Sequence, residues 1–216
     1  LARAGEKKWR KMAKIIILYY YIMSEPPYTF NKADYFAINN FININRIRTN
    51  EAGDIIVGFT QNNVYLSVNY GETWLIKDNI SSLTGISNLQ IFNLVYSKTN
   101  GVIIILVRNA DSDYFYLYKT TDYFTTLELL TLPESFDNGS FLLDISANGA
   151  KIAFVANTNY TLYYSANGGS TWDAKLINAS PIEFYLITCS YNFEYIYLID
   201  DATCDIWKSN DLGDTW

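Results

Sequence analysis

The sequence predicts an all-β chain of successive four-stranded antiparallel sheets, and two observations carry that prediction. A short turn motif recurs four times, as SVNYGETW (Ser67–Trp74), TTDYFTTL (Thr120–Leu127), SANGGSTW (Ser165–Trp172) and SNDLGDTW (Ser209–Trp216). The copies begin at residues 67, 120, 165 and 209, so their starts lie 53, 45 and 44 residues apart, a period that suits a four-stranded propeller blade. Between the copies, short runs rich in Ile, Val, Tyr and Phe are bounded by Gly, Asn and Asp, the pattern of strands joined by tight turns. The predicted fold is a β-propeller.

Each unit reads the same way: an apolar strand, a turn, a second strand, a short polar turn, then the motif hairpin. Unit one runs FININRIRT, NEAG, DIIVGFT, QNN, VYLS, motif, WLIK; unit two runs IFNLVYS, KTNG, VIIILVR, NADSD, YFYLYK, motif, LELLTL. Unit three runs FLLDIS, ANGA, KIAFVA, NTN, YTLYYS, motif, WDAKLI; unit four runs FYLITCS, YNFE, YIYLID, DATC, DIWKS, motif. The continuous apolar second strands (VIIILV, KIAFV, YIYLI) suit positions covered on both faces. The units are placed at about 36–80, 88–133, 139–179 and 182–216, the last lacking its fourth strand. The propeller as a whole is placed at 23–216. Four blades of a ring of about six to eight are expected. The alternative is a closed four-bladed ring sealed by Ile15–Ile22.

The motif reads Ser/Thr-x-Asp/Asn-x-Gly-x-Ser/Thr-Trp. Ser67, Thr120, Ser165 and Ser209 open it, and Asn69, Asp122, Asn167 and Asp211 supply a side-chain acceptor for turn N–H groups. Gly71, Gly169 and Gly213 provide positive φ, and Thr73, Thr126, Thr171 and Thr215 offer a second cap. Trp74, Trp172 and Trp216 close three copies with a large apolar ring. Full burial of each ring would contribute at most about 4–6 kcal/mol, which makes the rings packing material between repeats.

These segments resemble Asp-box repeats, also called BNR repeats, of sialidases, other propeller glycosidases, sortilin-type receptors and photosystem assembly factors. Three copies match well, with Asn in place of Asp in two; the second departs further, with Phe124 at the Gly position and Leu127 at the Trp position. The resemblance covers about residues 36–216. It implies that the motif lies at the turn between third and fourth strands, on the outer rim and away from the ligand site, so it speaks for fold and hardly for activity.

Bulk properties narrow the function. The chain has 216 residues, a net charge of −6 and no His, which removes His-based triads, His bases and His metal ligands. Six basic groups (Arg3, Lys7, Lys8, Arg10, Lys11, Lys14) and Glu6 fall in residues 1–22, leaving the rest at about −11. An acidic body argues against nucleic acid as a partner. No apolar run reaches membrane-spanning length. Cys189 and Cys204 are too few for a disulfide framework, and inert semi-buried thiols are expected. Sequons at Asn79, Asn138, Asn159 and Asn178 are close to what the composition yields by chance and do not establish secretion; the compartment is left open, with secretion or surface display slightly favoured.

Residues 1–22 read separately. KKWRKMAK followed by IIILYYYIM has the basic and apolar regions of a signal segment, but SEPP follows where small cleavage-site residues belong. MSEPPYTF from Met23 looks like a natural start, the preceding text then being upstream read-through. The third reading is a strand that completes a blade. The three stay open, and the only helical candidate of the chain lies here.

The turns between second and third strands are Gln61–Asn63, Asn109–Asp113, Asn157–Asn159 and Asp200–Asp205. They present Asp111, Asp113, Asp200, Asp201 and Asp205, either as an acidic rim for sugar hydroxyls, a basic peptide or a hard cation, or as plain turn formers. Beyond the leader only Arg46, Arg48 and Arg108 remain, and RIRT (Arg46–Thr49) has a faint echo of the sialidase Arg-Ile-Pro motif without its Pro. A solvated strand-end pair is the reading adopted for Arg46 and Arg48. Glu183, Asp144 and Asp54 are possible members of a glycosidase carboxylate pair, though nothing in the sequence joins them. No catalytic residue, metal ligand or cofactor is assigned. The function expected is a non-catalytic binding scaffold for a protein or glycan, the alternative a glycoside hydrolase with most catalytic residues in blades outside this chain.

Overall fold

Four antiparallel meanders follow one another along the chain in a computed structural model that describes residues 46–137, 139–178 and 182–216. The first sheet holds β1 (Arg46–Thr49), β2 (Ile56–Phe59), β3 (Asn63–Ser67) and β4 (Leu75–Asn79). The second holds β5 (Leu89–Tyr96), β6 (Ile103–Asn109), β7 (Phe115–Thr120) and β8 (Glu128–Leu130). The third holds β9 (Phe141–Ile145), β10 (Ile152–Ala156), β11 (Thr161–Ser165) and β12 (Asp173–Leu176), and the fourth β13 (Phe184–Cys189), β14 (Ile196–Asp200) and β15 (Ile206–Ser209). Strand order is sequential within every sheet. The first strands meet across sheets, β1 against β5, β5 against β9 and β9 against β13, which makes them the innermost strands of a β-propeller. The leader and its three readings, the strand segment 41–45 and Asn138 lie outside the described residues.

Alternation along the second strands explains the stacking. In β6, Ile103, Ile105 and Val107 enter a core shared with the first sheet. Ile104 and Leu106 enter the core shared with the third. In β10, Ile152, Phe154 and Ala156 face back towards the second sheet, while Ala153 and Val155 face forward to the fourth. Because strand side chains alternate with period two, one apolar run serves two cores. Phe141 and Phe154 stack 5.4 Å apart in the middle core.

One helix appears where the sequence suggested none. Ile80–Thr84 forms α1 between the first two sheets, capped by Asn79, whose side chain accepts from the Ser81 N–H, and closed by Gly85 at φ 73°. Ile80 is fully buried and anchors this turn in the first core. The segment's Ser-rich polarity hid a helix too short to show periodicity.

The motif turns share one hydrogen-bond pattern. Ser67, Thr120, Ser165 and Ser209 are all almost fully buried. Their hydroxyls accept the N–H four residues on, from Gly71 at 2.9 Å, Phe124 at 3.1 Å, Gly169 at 2.8 Å and Gly213 at 2.8 Å. The Asx oxygens of Asn69, Asp122, Asn167 and Asp211 accept the N–H of Thr73, Thr126, Thr171 and Thr215 at 2.9–3.0 Å. Where the acceptor is Asp, bonds from Thr126 and from Thr215 hold the carboxyls of Asp122 and Asp211 down at about 2.

The indoles are half-buried rather than sealed in. Trp172 donates to the Thr131 carbonyl of the preceding sheet at 3.1 Å and packs on the middle core. Trp216 packs on the core between the third and fourth sheets. Trp74 instead donates to Gly71 of its own turn at 3.0 Å.

Candidate functional site

In a meander the first and third turns lie at one end of a sheet and the second turn at the other. The motif turns therefore mark one end of the propeller, and the turns bearing the five rim acids mark the opposite end.

The structure does not gather those five acids. Asp111 accepts from Asn88 Nδ2 at 2.8 and 3.0 Å. Asp113 pairs with Arg108. Asp200 is 6% exposed and caps its own turn, accepting from the N–H groups of Ala202 and Thr203 at 2.8 and 3.0 Å. Asp205 accepts from Thr203 Oγ1 at 2.9 Å, and the Asp201 N–H donates to the Glu183 carbonyl. Asp111 and Asp113 belong to the second sheet, the other three to the fourth, with a whole sheet between them. Among the described residues no group of three or more Asp, Glu or Cys is placed to hold a metal ion.

Two shallow clefts do open at this end, of about 330 and 510 Å³, meeting at Glu134 and Ser135 in the connection after β8. Asn159, at the end of its turn, donates to Glu134 Oε1 at 2.8 Å and to Tyr163 Oη at 2.7 Å. Tyr163 also donates to Glu134. Burial, with the Glu134 carboxylate beside it, pushes the Tyr163 phenol up to about 12.

The more concentrated chemistry lies on the innermost strands, towards the motif end. Arg46 on β1 donates to Asn93 Oδ1 of β5 at 2.9 Å, and Asn93 is itself buried. Lys98, just past β5, donates to the Thr49 carbonyl at 3.2 Å, which brings its ammonium beside Arg48. Asp144 near the end of β9 accepts from the N–H of Ile145 at 2.9 Å and of Cys189 on β13 at 2.6 Å. One side of Asp144 reaches solvent, but the surrounding strands strip most of its water. That desolvation raises its carboxyl to about 6, with the two N–H donors and Arg48 pulling the other way. Burial and the neighbouring Asp144 push the Cys189 thiol up. Cys189 and Cys204 are both free thiols; Cys204 is exposed rather than semi-buried, in a turn it enters with φ 61°.

The three acids weighed as a catalytic pair fall on three different sheets. Asp144 lies near the motif end of β9, Asp54 sits at that same end in the β1–β2 turn, where it accepts from Asn50 Nδ2 at 2.6 Å, and Glu183 precedes β13 at the opposite end. Sequence reading singled out Asp144 and Arg48 individually and missed Lys98 and Asn93. The available signal was a polar residue amid apolar neighbours on an inner strand, FLLDI for Asp144 and IFNLVY within β5 for Asn93.

The fold and these inner strands define the chain as a β-propeller. Solved structures similar to it are a GH74 enzyme of Niastella koreensis, YCF48 of Cyanidioschyzon merolae, and the Cps50 (Swd1) β-propeller domain of Myceliophteria thermophila. They align with TM-scores of 0.58, 0.55 and 0.50 at 15%, 16% and 14% identity, over 80%, 79% and 76% of this chain. The chain spans 29% of the first of these proteins and about half, 54% and 52%, of the other two. No protein-family model matches the chain, and no curated protein matches it in sequence.

Proposed function

We propose that this chain is a rigid binding scaffold for a protein or glycan partner, that its four recurrent turns are Asp-box repeats, and that it does not transform what it binds. The placement of Asp54, Asp144 and Glu183 on three different sheets, with Glu183 at the opposite end from the other two, supports this reading: hydrolysis by paired carboxylates needs the two groups about 5–10 Å apart across one cleft. The similar structures include both GH74 and other propellers, so fold likeness favours neither side.

A glycoside hydrolase is the second reading, and Asp144 favours it: a recessed carboxyl raised to about 6 is suited to give up a proton near neutral pH. A panel of sialosides and β-glucans incubated with the full chain separates the two. The scaffold reading expects capture on a glycan or protein array with no product release. Hydrolysis that disappears in Asp144→Asn overturns it.

A further inference from the structure

Residues 46–216 carry nine basic groups against nineteen acidic ones, and several of the nine have a partner. Arg108 pairs with Asp113, Lys119 with Glu128 and Lys175 with Asp214. Lys208 lies 4.3 Å over the Tyr195 ring, and Lys151 donates to the Asn192 carbonyl. Three others lie on or beside the innermost strands and donate to neutral oxygens only: Arg46 and Arg48, two apart on β1, to Asn93 and the Ile47 carbonyl, and Lys98, next to Arg48, to the Thr49 carbonyl. Among the described residues none of these three has a carboxylate in ion-pair range. Burial, then the Arg48 charge, pulls both Arg46 and Lys98 below their ordinary values. Crowding like charges in an acid-rich body costs free energy, a cost that a bound anion would offset.

We propose that Arg46, Arg48 and Lys98 form a site for a tetrahedral oxyanion, the sulfate or phosphate group of a ligand, and that protonation of Asp144 opens it. This rests on the scaffold reading and names the chemistry of what is bound. Three cationic side chains match the three terminal oxygens of a sulfate or phosphate group better than the two of a carboxylate. Guanidinium forks and an ammonium are the side chains that take such groups. The acidic remainder of the surface repels extended polyanions, so the ligand offers one such group, not a run of them.

Asp144 is the competitor already in place. It faces Arg48 from β1, Lys98 from beyond β5, and the thiol and N–H of Cys189 on β13; Glu51 also acts on Lys98. Ionised, Asp144 partly balances Arg48 and Lys98 and repels an incoming anion. Protonated, it no longer offsets Arg48 and Lys98, which leaves Glu51 as the remaining carboxylate acting on Lys98, and it can donate a hydrogen bond.

Sodium sulfate is the probe of choice, because sulfate keeps its double charge across the range of interest and any pH dependence then belongs to the protein. Calorimetric titration of the full chain at constant ionic strength is expected to show saturable binding at about pH 5, weakened about tenfold at about pH 7.5. Arg48→Ala is expected to lose at least about tenfold at both. Asp144→Asn is expected to bind at the higher pH as tightly as the unmodified chain does at the lower. Glucose 6-sulfate and methyl sulfate, each singly charged, run in parallel identify the source: tighter binding of the former means a sugar-borne group, equal binding means the sulfate group alone is recognised, and either supports the site. No saturable sulfate binding by folded protein at about pH 5 overturns the proposal, as does a pH dependence that survives in Asp144→Asn. Should that variant not fold, Lys98→Met decides, since undiminished affinity without the ammonium overturns the site. Glycan or protein capture without sulfate binding would sink this site alone, whereas product release would sink the scaffold reading alone.

Discussion

The second and third motif turns reach the same backbone with different residues. In the third, Gly169 sits at φ 91°, where an added Cβ would come within 2.6 Å of Leu130 on the neighbouring sheet. In the second, the matching position is Phe124, at φ 69° and 2% exposed, with its ring inside the core between the first two sheets. The third turn closes with Trp172 on the middle core, whereas the second closes with Leu127, partly buried on the first core. Both keep the buried hydroxyl and the Asx acceptor. The polar triad therefore sets the shape of the turn. Glycine is needed where the neighbouring sheet presses close, and where space allows, an aromatic ring can occupy the place at the cost of a strained φ.

The largest expected effect breaks the second turn. Phe124→Ala should destabilise by about 3–4 kcal/mol in urea denaturation, because it empties core volume. Gly169→Ala should cost roughly 2 kcal/mol through contact with Leu130 and positive φ; a loss below about 0.5 kcal/mol would mean the third turn has room to spare. Trp172→Ala should cost about 2–3 kcal/mol, since its indole bonds to the Thr131 carbonyl and packs on the middle core. A loss below about 0.5 kcal/mol would mean that the ring does not support the middle core.

The smallest effects are pH-dependent and opposite in sign. The carboxyls of Asp122 and Asp211 are depressed to about 2 in the folded chain. Their stabilisation is thus fully present above the ordinary carboxyl value of 3.8 and lost as pH falls towards 2. Asp122→Asn should flatten that acid limb, while Asn167 in the third turn contributes nothing to it. Asp144 is raised to about 6, so its contribution is greatest below the ordinary value and declines as pH rises from 3.8 to 6. Thermal melts of Asp144→Asn across that window should lack this decline; an unchanged slope would place the ionisation elsewhere.

Repeat period, strand runs and turn residues made the propeller legible, because each is a local signal repeated at fixed spacing. VIIILV and KIAFV could be assigned two covered faces for the same reason. α1 was not legible, being five residues held by a cap and one buried Ile. The inner-strand cluster was invisible for a different reason. Arg48, Lys98, Asp144 and Cys189 come from four sheets, and only the approach of the first strands brings them together. The rim acids look alike in sequence, and the fold sets them differently: Asp111 bonds to Asn88, whereas Asp200 and Asp205 bond within their own turn.

The double-sided second strands have a consequence for how such an array can be altered. Every interior sheet carries two unlike contact surfaces, one matched to its predecessor and one to its successor. Excising a single sheet would bring together surfaces shaped for other mates, so viable length variants should arise by trimming or extending whole units at the ends of the array.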